Sequence, residues 1–538
     1  MASISNKVIN QIAMFFNVLI VILTGTWFVS SSNILVWSPS YGRSHIVIFG
    51  RIADILTADG HNVTILSPML DPTITTFGNK LPAHTFHIKP DKEAAEHYLQ
   101  LVMTGPALWT SPTCTGLCVQ WSDYSFLVEQ TFKLCKDLAY NDDLMHRLRE
   151  SKFDLVFTEG LDTCGPQLFK VLGIKNAIIV STLGMMPRLY DIAGLLPMPS
   201  FMPTGLTPFS DELTFVEKLI NFNLHLFFEV FKWYLDGRFE RMFNAKYPGL
   251  PSIRDNIYEQ TALIATHVHE FAEVTHPTTN MIRYVGGFAI NDPQPLSKEL
   301  DDLLNKRPAT ILFCMGSLAQ SSEMPDQLKK VFIGTFTSLP NITFIWKYEE
   351  SDHSLFKNTP NIYTMKWVPQ TDLLADQRLS LFITHGGVNS MLESMNYGKP
   401  MIVMPLFADQ LMNAKSIQRR GLGIIVEKHL LTKEILTAAI QQVLNDKSIA
   451  RQCSLVKSLL KDRPRQYRED ILKYTRAIIE YGRLEHLQMI SRNMNVFQYL
   501  CLDVVLFELC IVLIVLFSSV WLLRRLLSRM RVPKTKNE

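Results

Sequence analysis

The sequence predicts an α/β chain of two Rossmann-like, doubly wound domains facing a cleft, followed by a C-terminal transmembrane helix. Three observations predict it. From Asn33 onward short apolar runs alternate with helical patterns, the way parallel sheets with crossover helices read. The alternation breaks at Gly286-Gly287 and at Asn291-Asp292-Pro293-Gln294-Pro295, a stretch that holds neither a helix nor a central strand. A long apolar run, Leu500 to Leu523, is followed by a crowd of cations. With 538 residues there is room for two cores, since a single core rarely outgrows about 250–300 residues.

Residues 1–32 are expected to be a secretory signal peptide. The apolar stretch Ile12 to Val29 follows a lone Lys7 and ends in Ser30-Ser31-Ser32, small residues suited to cleavage. An uncleaved anchor is the alternative, because the stretch is longer than the roughly 7–15 apolar residues of a usual signal core. Residues 33–288 make the first domain. Ile34 to Trp37 reads as its first strand, Ile46 to Ala58 as a helix stopped by Gly60, and Val63 to Leu66 as the second strand. Phe153 to Thr158 and Ala177 to Val180 continue the sheet. A linker at 289–308 follows. In the second domain, 309–484, the strands are Thr310 to Met315, Ile342 to Trp346, Leu379 to Thr384 and Met401 to Met404, each leading towards a helix. Two such domains across a cleft make the GT-B architecture, and ligands of doubly wound sheets bind at the carboxyl ends of the strands.

Residues 485–499 form a membrane-proximal segment, and 500–523 a helix long enough to cross roughly 30 Å of hydrocarbon, although Asp503 and Glu508 interrupt its first third. In the tail, 524–538, Arg524, Arg525, Arg529, Arg531, Lys534 and Lys536 follow the positive-inside rule for a cytoplasmic segment, which places both domains in the lumen. The ending Lys534-Thr535-Lys536-Asn537-Glu538 resembles a dilysine signal for return to the endoplasmic reticulum. A single-pass type I protein of that membrane is expected.

A net charge of +3 and a pI near 8.3 leave no electrostatic footprint for nucleic acid, so none is expected as a partner. No Gly-x-Gly-x-x-Gly follows either first strand, and there is no Walker lysine loop and no internal repeat. A dinucleotide oxidoreductase is therefore a poor fit. The eight cysteines suit an oxidising lumen without amounting to a disulfide framework. Cys501 and Cys510 fall in the expected membrane helix, and pairing among the other six cannot be read from spacing. Cys114 and Cys118 lack a second pair, so no zinc site is expected. Asn62-Val63-Thr64 and Asn341-Ile342-Thr343 are glycosylation sequons; Asn62 opens an expected buried strand, which favours Asn341.

The chemistry concentrates between Trp367 and Gln410: Trp367-Val368-Pro369-Gln370, Thr384-His385-Gly386-Gly387-Val388-Asn389-Ser390, Glu393, Pro400 and Leu406-Phe407-Ala408-Asp409-Gln410. Two glycines between a strand and a helix let backbone amides approach a ligand, and a helix beginning near Gly387 offers its positive end to a pyrophosphate. Asn389 and Glu393 are four apart on one helix face, where a carboxylate can accept both hydroxyls of a ribose. Trp367, just past a strand, can stack on a flat base. Each residue also has a bland reading: Thr384 or His385 as a helix cap, Asp409 as N-cap of the helix ending at Gly421, Trp367 as core.

In its spacing the whole segment resembles the signature of the UDP-glycosyltransferase family, which includes animal UDP-glucuronosyltransferases and UDP-glucosyltransferases. The resemblance extends from the His45 loop through Val285-Gly286-Gly287 and Gly316-Ser317 to Phe497-Gln498-Tyr499 and Leu502-Asp503-Val504. It implies donor contacts from Trp367 to uracil and from Gln370 and Glu393 to the nucleoside. It places Ser317, His385 and Asn389 near the phosphates and Asp409 and Gln410 on the sugar hydroxyls, with Gly387 and Ser390 of the same motif among the donor-binding residues. The Asp-Gln ending suggests a glucose-configured sugar, glucose or glucuronic acid. The UDP-sugar is a co-substrate, and no cofactor is expected.

The first domain is expected to supply the base. His45 follows Ser44, a good N-cap, and so sits in the first turn of a helix after the first strand, where the helix dipole disfavours an imidazolium. The resemblance assigns His45 to removing the acceptor proton. It places Glu159 where vertebrate glucuronosyltransferases carry an Asp that orients the His; the longer side chain can still accept the imidazole N–H. Attack by the acceptor oxygen on the anomeric carbon then inverts it. No Asp-x-Asp occurs, so no metal is expected, and the helix end near Gly387 with His385 is left to stabilise the leaving charge.

Met198-Pro199-Ser200-Phe201-Met202-Pro203 and Phe222 to Tyr234 are expected to include an acceptor pocket or a membrane-facing surface, with ordinary core as the alternative. The resemblance points to small lipophilic acceptors, detoxification chemistry, and a homo- or hetero-oligomer. The rival is a catalytically weak UDP-sugar-binding partner of an active family member, for which only Glu159 speaks.

Overall fold

A computed structural model describes residues 31–101, 105–112, 114, 116, 118, 121–351 and 354–530. Nearly all of the expected signal peptide, and the end of the expected basic tail at 531–538, lie outside the described residues.

The first sheet has seven parallel strands in the order β3-β2-β1-β4-β5-β6-β7. They are β1 (Asn33–Trp37), β2 (Asn62–Pro68), β3 (His84–Ile88), β4 (Leu155–Glu159), β5 (Ala177–Ser181), β6 (Thr261–Thr266) and β7 (Ile282–Tyr284). The second has six, in the order β10-β9-β8-β11-β12-β13: β8 (Ala309–Cys314), β9 (Ile342–Lys347), β10 (Ile362–Met365), β11 (Leu379–Thr384), β12 (Met401–Val403) and β13 (Gly423–Ile425). Helices cover both faces of each sheet, so the central strands are apolar on both sides: Ile34, Leu35 and Val36 of β1, and Ile311, Leu312 and Phe313 of β8, are fully buried.

Strand order reverses between β1 and β4 in one sheet and between β8 and β11 in the other. At such a switch point the loops leaving the two central strands diverge and open a crevice at their carboxyl ends. His45 follows β1 and Glu159 ends β4; Ser317 follows β8 and His385 follows β11. Both halves of the expected site thus sit at switch points.

Several elements differ from the sequence reading. Inside the expected linker, Lys298–Asn305 is a helix capped by Ser297, and its Leu300, Leu303 and Leu304 enter the second core. The Arg463–Tyr481 helix, read as second domain, turns Tyr467, Ile471 and Ile478 onto the first, beside Ile34, Phe49 and Leu155. Its buried positions fall one or two turns apart, a stripe that fits the first domain's apolar face. Two disulfides are present, Cys114–Cys118 and Cys135–Cys164, while Cys314 and Cys453 are free and buried.

Leu502–Met530 is the one helix among the described residues long and apolar enough to cross a membrane, and none of it is buried against the rest of the chain. Cys510 lies within it, whereas Cys501 precedes it in a left-handed turn (φ 53°). The expected membrane helix thus starts after Cys501.

Candidate functional site

A cavity of about 1390 Å³ lies between the two domains at the carboxyl ends of both sheets. Its walls bring together His45 from the first domain and Ser317, Trp367, Gln370, His385, Gly387, Asn389, Ser390, Glu393, Asp409 and Gln410 from the second. Glu159 stands behind His45 and does not line the cavity.

The Arg43–Ala58 helix carries His45 as its third residue. Its N-cap is Gly42, with no side-chain cap bond, so the expected capping by Ser44 does not occur. The Gly42 carbonyl already accepts the N–H groups of His45 (3.1 Å) and Ile46 (3.4 Å), which starts the helix one residue before Ser44. His45 Nδ1 lies 2.8 Å from Glu159 Oε2, and the Thr182 hydroxyl donates to the same oxygen at 2.9 Å while standing 2.9 Å from Nδ1. Glu159 Oε1 accepts Gly160 N–H at 2.8 Å. Both carboxylate oxygens are therefore engaged in a buried site, as a buried charge requires. Nδ1 is committed to Glu159, which leaves Nε2 as the ring nitrogen for a proton from the cavity.

On the opposite wall His385 is wedged between two glycines. A Cβ on Gly316 would stand 2.6 Å from its Cε1, and one on Gly387 would stand 2.5 Å from its Nε2; Gly316 also has φ 85°, open chiefly to glycine. Loss of solvent, with the charge of Lys347 adding to it, pushes His385 down to about 4. It is a neutral N–H donor near pH 7 and carries no charge of its own. Cationic character comes instead from Lys347, buried at the end of β9 with Nζ donating to Gly316 O (2.9 Å) and Glu349 Oε1 (2.7 Å), and from the N-terminus of the Val388–Tyr397 helix, whose N-cap is Gly387.

Asn389 and Glu393 leave that helix towards different partners. Glu393 accepts from Gln370 Nε2 (2.6 Å) and Thr371 Oγ1 (3.0 Å), and Gln370 Nε2 also reaches Ser390 Oγ (3.2 Å). Burial raises the Glu393 carboxyl against those two hydrogen bonds. Asn389 Oδ1 instead meets His267 Nε2 of the first domain at 2.8 Å. Trp367 is 62% exposed, which rules out the core reading. Its ring centre lies 5.5 Å from the Arg43 guanidinium and 5.7 Å from Lys347 Nζ.

Asp409 holds the N-cap position of the Gln410–Arg419 helix, yet its side chain makes no cap bond. It accepts from Asn413 Nδ2 at 2.8 Å, and burial raises it to about 6 despite that bond. Gln410 Oε1 accepts Leu406 and Phe407 N–H (3.0 and 3.4 Å), which frees its amide NH₂ for the cavity.

The two segments rich in Phe, Met and Pro part company. The 198–203 loop is a packing element, with Pro199 O and Met202 O pinned by Asn221 and His225. The Phe215–Lys246 helix lines the cavity with Phe228, Phe231, Leu235 and Phe239 and exposes Phe215, Leu219, Phe222, Leu226, Val230 and Trp233 elsewhere. Asn62 and Asn341 are both exposed, although Asn62 also donates to Asn33 Oδ1 at 2.8 Å.

Sequence reasoning missed Thr182, His267, Lys347, Thr371 and Arg43. Thr182 and Lys347 stand at the carboxyl ends of strands that the sequence did show, and the strand-end rule alone points to them. His267 follows β6, a strand the sequence did not show.

A sequence model of the family described as "UDP-glucoronosyl and UDP-glucosyl transferase" matches residues 32–536. The chain is 26% identical over 522 residues to the Caenorhabditis elegans protein named "Putative UDP-glucuronosyltransferase ugt-50", covering 94% of this chain and 96% of the relative. It is 26% identical over 511 residues to "UDP-glucuronosyltransferase 2B17" of Mus musculus, covering 91% and 92%. Among solved structures, the glycosyltransferase of kitacinnamycin superposes with a TM-score of 0.57 at 18% identity, over 83% of this chain and 99% of that one.

Proposed function

The chain belongs to the UDP-glucuronosyl and UDP-glucosyl transferase family and is a glycosyltransferase of GT-B fold; from this premise we propose that it moves glucuronic acid or glucose from the UDP-sugar to a hydroxyl of a small lipophilic acceptor, with inversion. The observation that carries the reading is the buried His45–Glu159–Thr182 cluster, set on the cavity wall across from the donor residues of the second domain.

The acceptor hydroxyl gives its proton to His45 Nε2 while Glu159 holds the Nδ1 proton and stabilises the imidazolium as it forms. The acceptor oxygen bonds to the anomeric carbon, and the bond from that carbon to the diphosphate oxygen breaks on the opposite face. The departing charge is met by the N-terminus of the Val388–Tyr397 helix, the His385 N–H and Lys347. Trp367 takes the uracil face, Gln370 and Glu393 the ribose, and Asp409 with the Gln410 amide the sugar hydroxyls. The acceptor lies against Phe228, Phe231, Leu235 and Phe239, whose apolar faces suit a lipophilic molecule.

The rival reading, a catalytically weak or inactive UDP-sugar-binding partner, drew on Glu159 alone, and the 2.8 Å contact to His45 supports the catalytic reading over it. The Leu502–Met530 helix is read as a single span with both domains lumenal in the endoplasmic reticulum, and the exposed stripe Phe215 to Trp233 as a face resting on the same bilayer. Asn341 and Asn62 then carry glycans. A donor-by-acceptor screen on detergent-activated membranes, with labelled UDP-glucose and UDP-glucuronic acid in competition, tests the reading; transfer of neither sugar to any member of a broad panel of phenols and sterols would refute it.

A further inference from the structure

We propose that His267 is a positioning residue of the donor site, reaching from the first domain to hold the Asn389 amide so that its NH₂ faces the leaving diphosphate. The inference rests on the donor reading of the cavity given above.

His267 is 1% exposed, directly follows β6, and places Nε2 2.8 Å from Asn389 Oδ1. Its backbone N–H donates to Ser181 O at 2.8 Å, next to the Thr182 that bridges His45 and Glu159. One short path of contacts therefore runs from the base to the donor helix. Burial pushes the imidazole down to about 4, so it is neutral and carries a single ring proton. That proton is on Nε2: Asn389 presents an acceptor there, and Nδ1 is buried with no partner. A bare nitrogen lone pair bears that isolation, whereas a buried N–H without an acceptor loses a donor's full hydration.

With Oδ1 turned to His267, the Asn389 NH₂ is the group left facing the cavity it lines. Asn389 is the second residue of the Val388–Tyr397 helix, at the positive end. There an NH₂ adds a hydrogen-bond donor to an anion, while a flipped amide would turn a carbonyl oxygen towards it. Nothing in the Asn389 side chain itself decides between these orientations; the His267 N–H does. The same segment is joined to the second domain by Ser416 to Ala272 O and Arg420 to Glu273 O, so His267 is held in place by the domain interface.

The test is a double-mutant cycle on the full-length protein in detergent, read by UDP calorimetry and donor and acceptor KM. His267→Phe, which keeps a ring against Phe288, is expected to weaken UDP and raise donor KM about tenfold with acceptor KM unchanged. His267→Gln, which restores an N–H, is expected to recover most of that loss. Asn389→Ala with His267→Phe is expected to bind UDP no more weakly than Asn389→Ala alone. Where the phenylalanine variant does not fold, His267→Ser takes its place in the cycle. Additive losses, no recovery with glutamine, or an equal rise in acceptor KM overturns the inference. No UDP binding by the unsubstituted protein overturns the donor reading and this inference with it.

Discussion

His45 Nδ1 lies 2.8 Å from Glu159 Oε2, a contact between the first turn of the Arg43–Ala58 helix that follows β1 and the end of β4, the two strands at which the first sheet reverses order. The carboxylate fixes which ring nitrogen is free, and the fold places that nitrogen at the cavity.

Glu159→Gln keeps size and removes the charge that holds the Nδ1 proton. It is expected to lower kcat by about 10²- to 10⁴-fold with UDP affinity intact. Glu159→Asp shortens the reach by one methylene and is expected to cost about tenfold in kcat. Steady-state kinetics beside UDP calorimetry separates these outcomes from a loss of donor binding.

Thr182→Val replaces the bridging hydroxyl by a methyl of similar shape and leaves one hydrogen bond to buried Glu159 unmade. A melting loss corresponding to about 1–2 kcal/mol is expected, together with a several-fold drop in kcat and an unchanged donor KM.

Asp409 is buried on the cavity wall at a cost in stability. Its folded-state carboxyl is raised to about 6, so the folded chain holds that proton more tightly than the unfolded chain does. The stabilisation is fully present below the ordinary carboxylate range and is lost as pH rises through about 6, leaving the ionised group a burden at pH 7. Asp409→Asn is expected to raise the melting temperature at pH 7, by the equivalent of about 1–3 kcal/mol, while abolishing transfer. The gain should vanish at pH 4.

The buried histidines act in the opposite sense. His267 and His385 are lowered to about 4 and His269 to about 3, each first by burial. The unfolded chain protonates them near pH 6.5 and the folded chain does not, so stability is lost as pH falls from about 6.5 towards 4. His269→Gln, outside the cavity, is expected to flatten the fall in melting temperature between pH 7 and pH 5.

Gly316→Ala sets a Cβ against the His385 ring at a φ of 85°. Loss of more than about 1 kcal/mol of stability and a large loss of kcat are expected, because the imidazole has no room to move on the Gly387 side.

The legible parts of the chain were those that repeat a strong local pattern. β1, β8 and β11 read clearly because both faces are buried and each holds an unbroken apolar run, Ile34 to Trp37, Ile311 to Cys314 and Leu381 to Ile383. β7, β10 and β13 did not, because Arg283, Thr364 and Gly423 interrupt runs of only three, four and three residues, whereas the equally short β12 is apolar throughout. The return of the Arg463–Tyr481 helix to the first domain is a tertiary choice, which the spacing of its apolar stripe does not specify by itself. In the site, the residues between Trp367 and Gln410 stood out through their contiguity. His267 depends on which strand ends meet across the cleft, and Ser44 lost its capping role to a glycine whose carbonyl was already in place.

The most direct measurement is sugar transfer by His45→Ala in detergent-activated membranes, with UDP affinity measured on the same preparation. The expected result is UDP binding equal to that of the unsubstituted protein with transfer reduced by at least about 10²-fold across the donor and acceptor panel. Near-normal transfer by this variant would contradict the assignment of His45 as the base, and with it the chemistry proposed for the cavity.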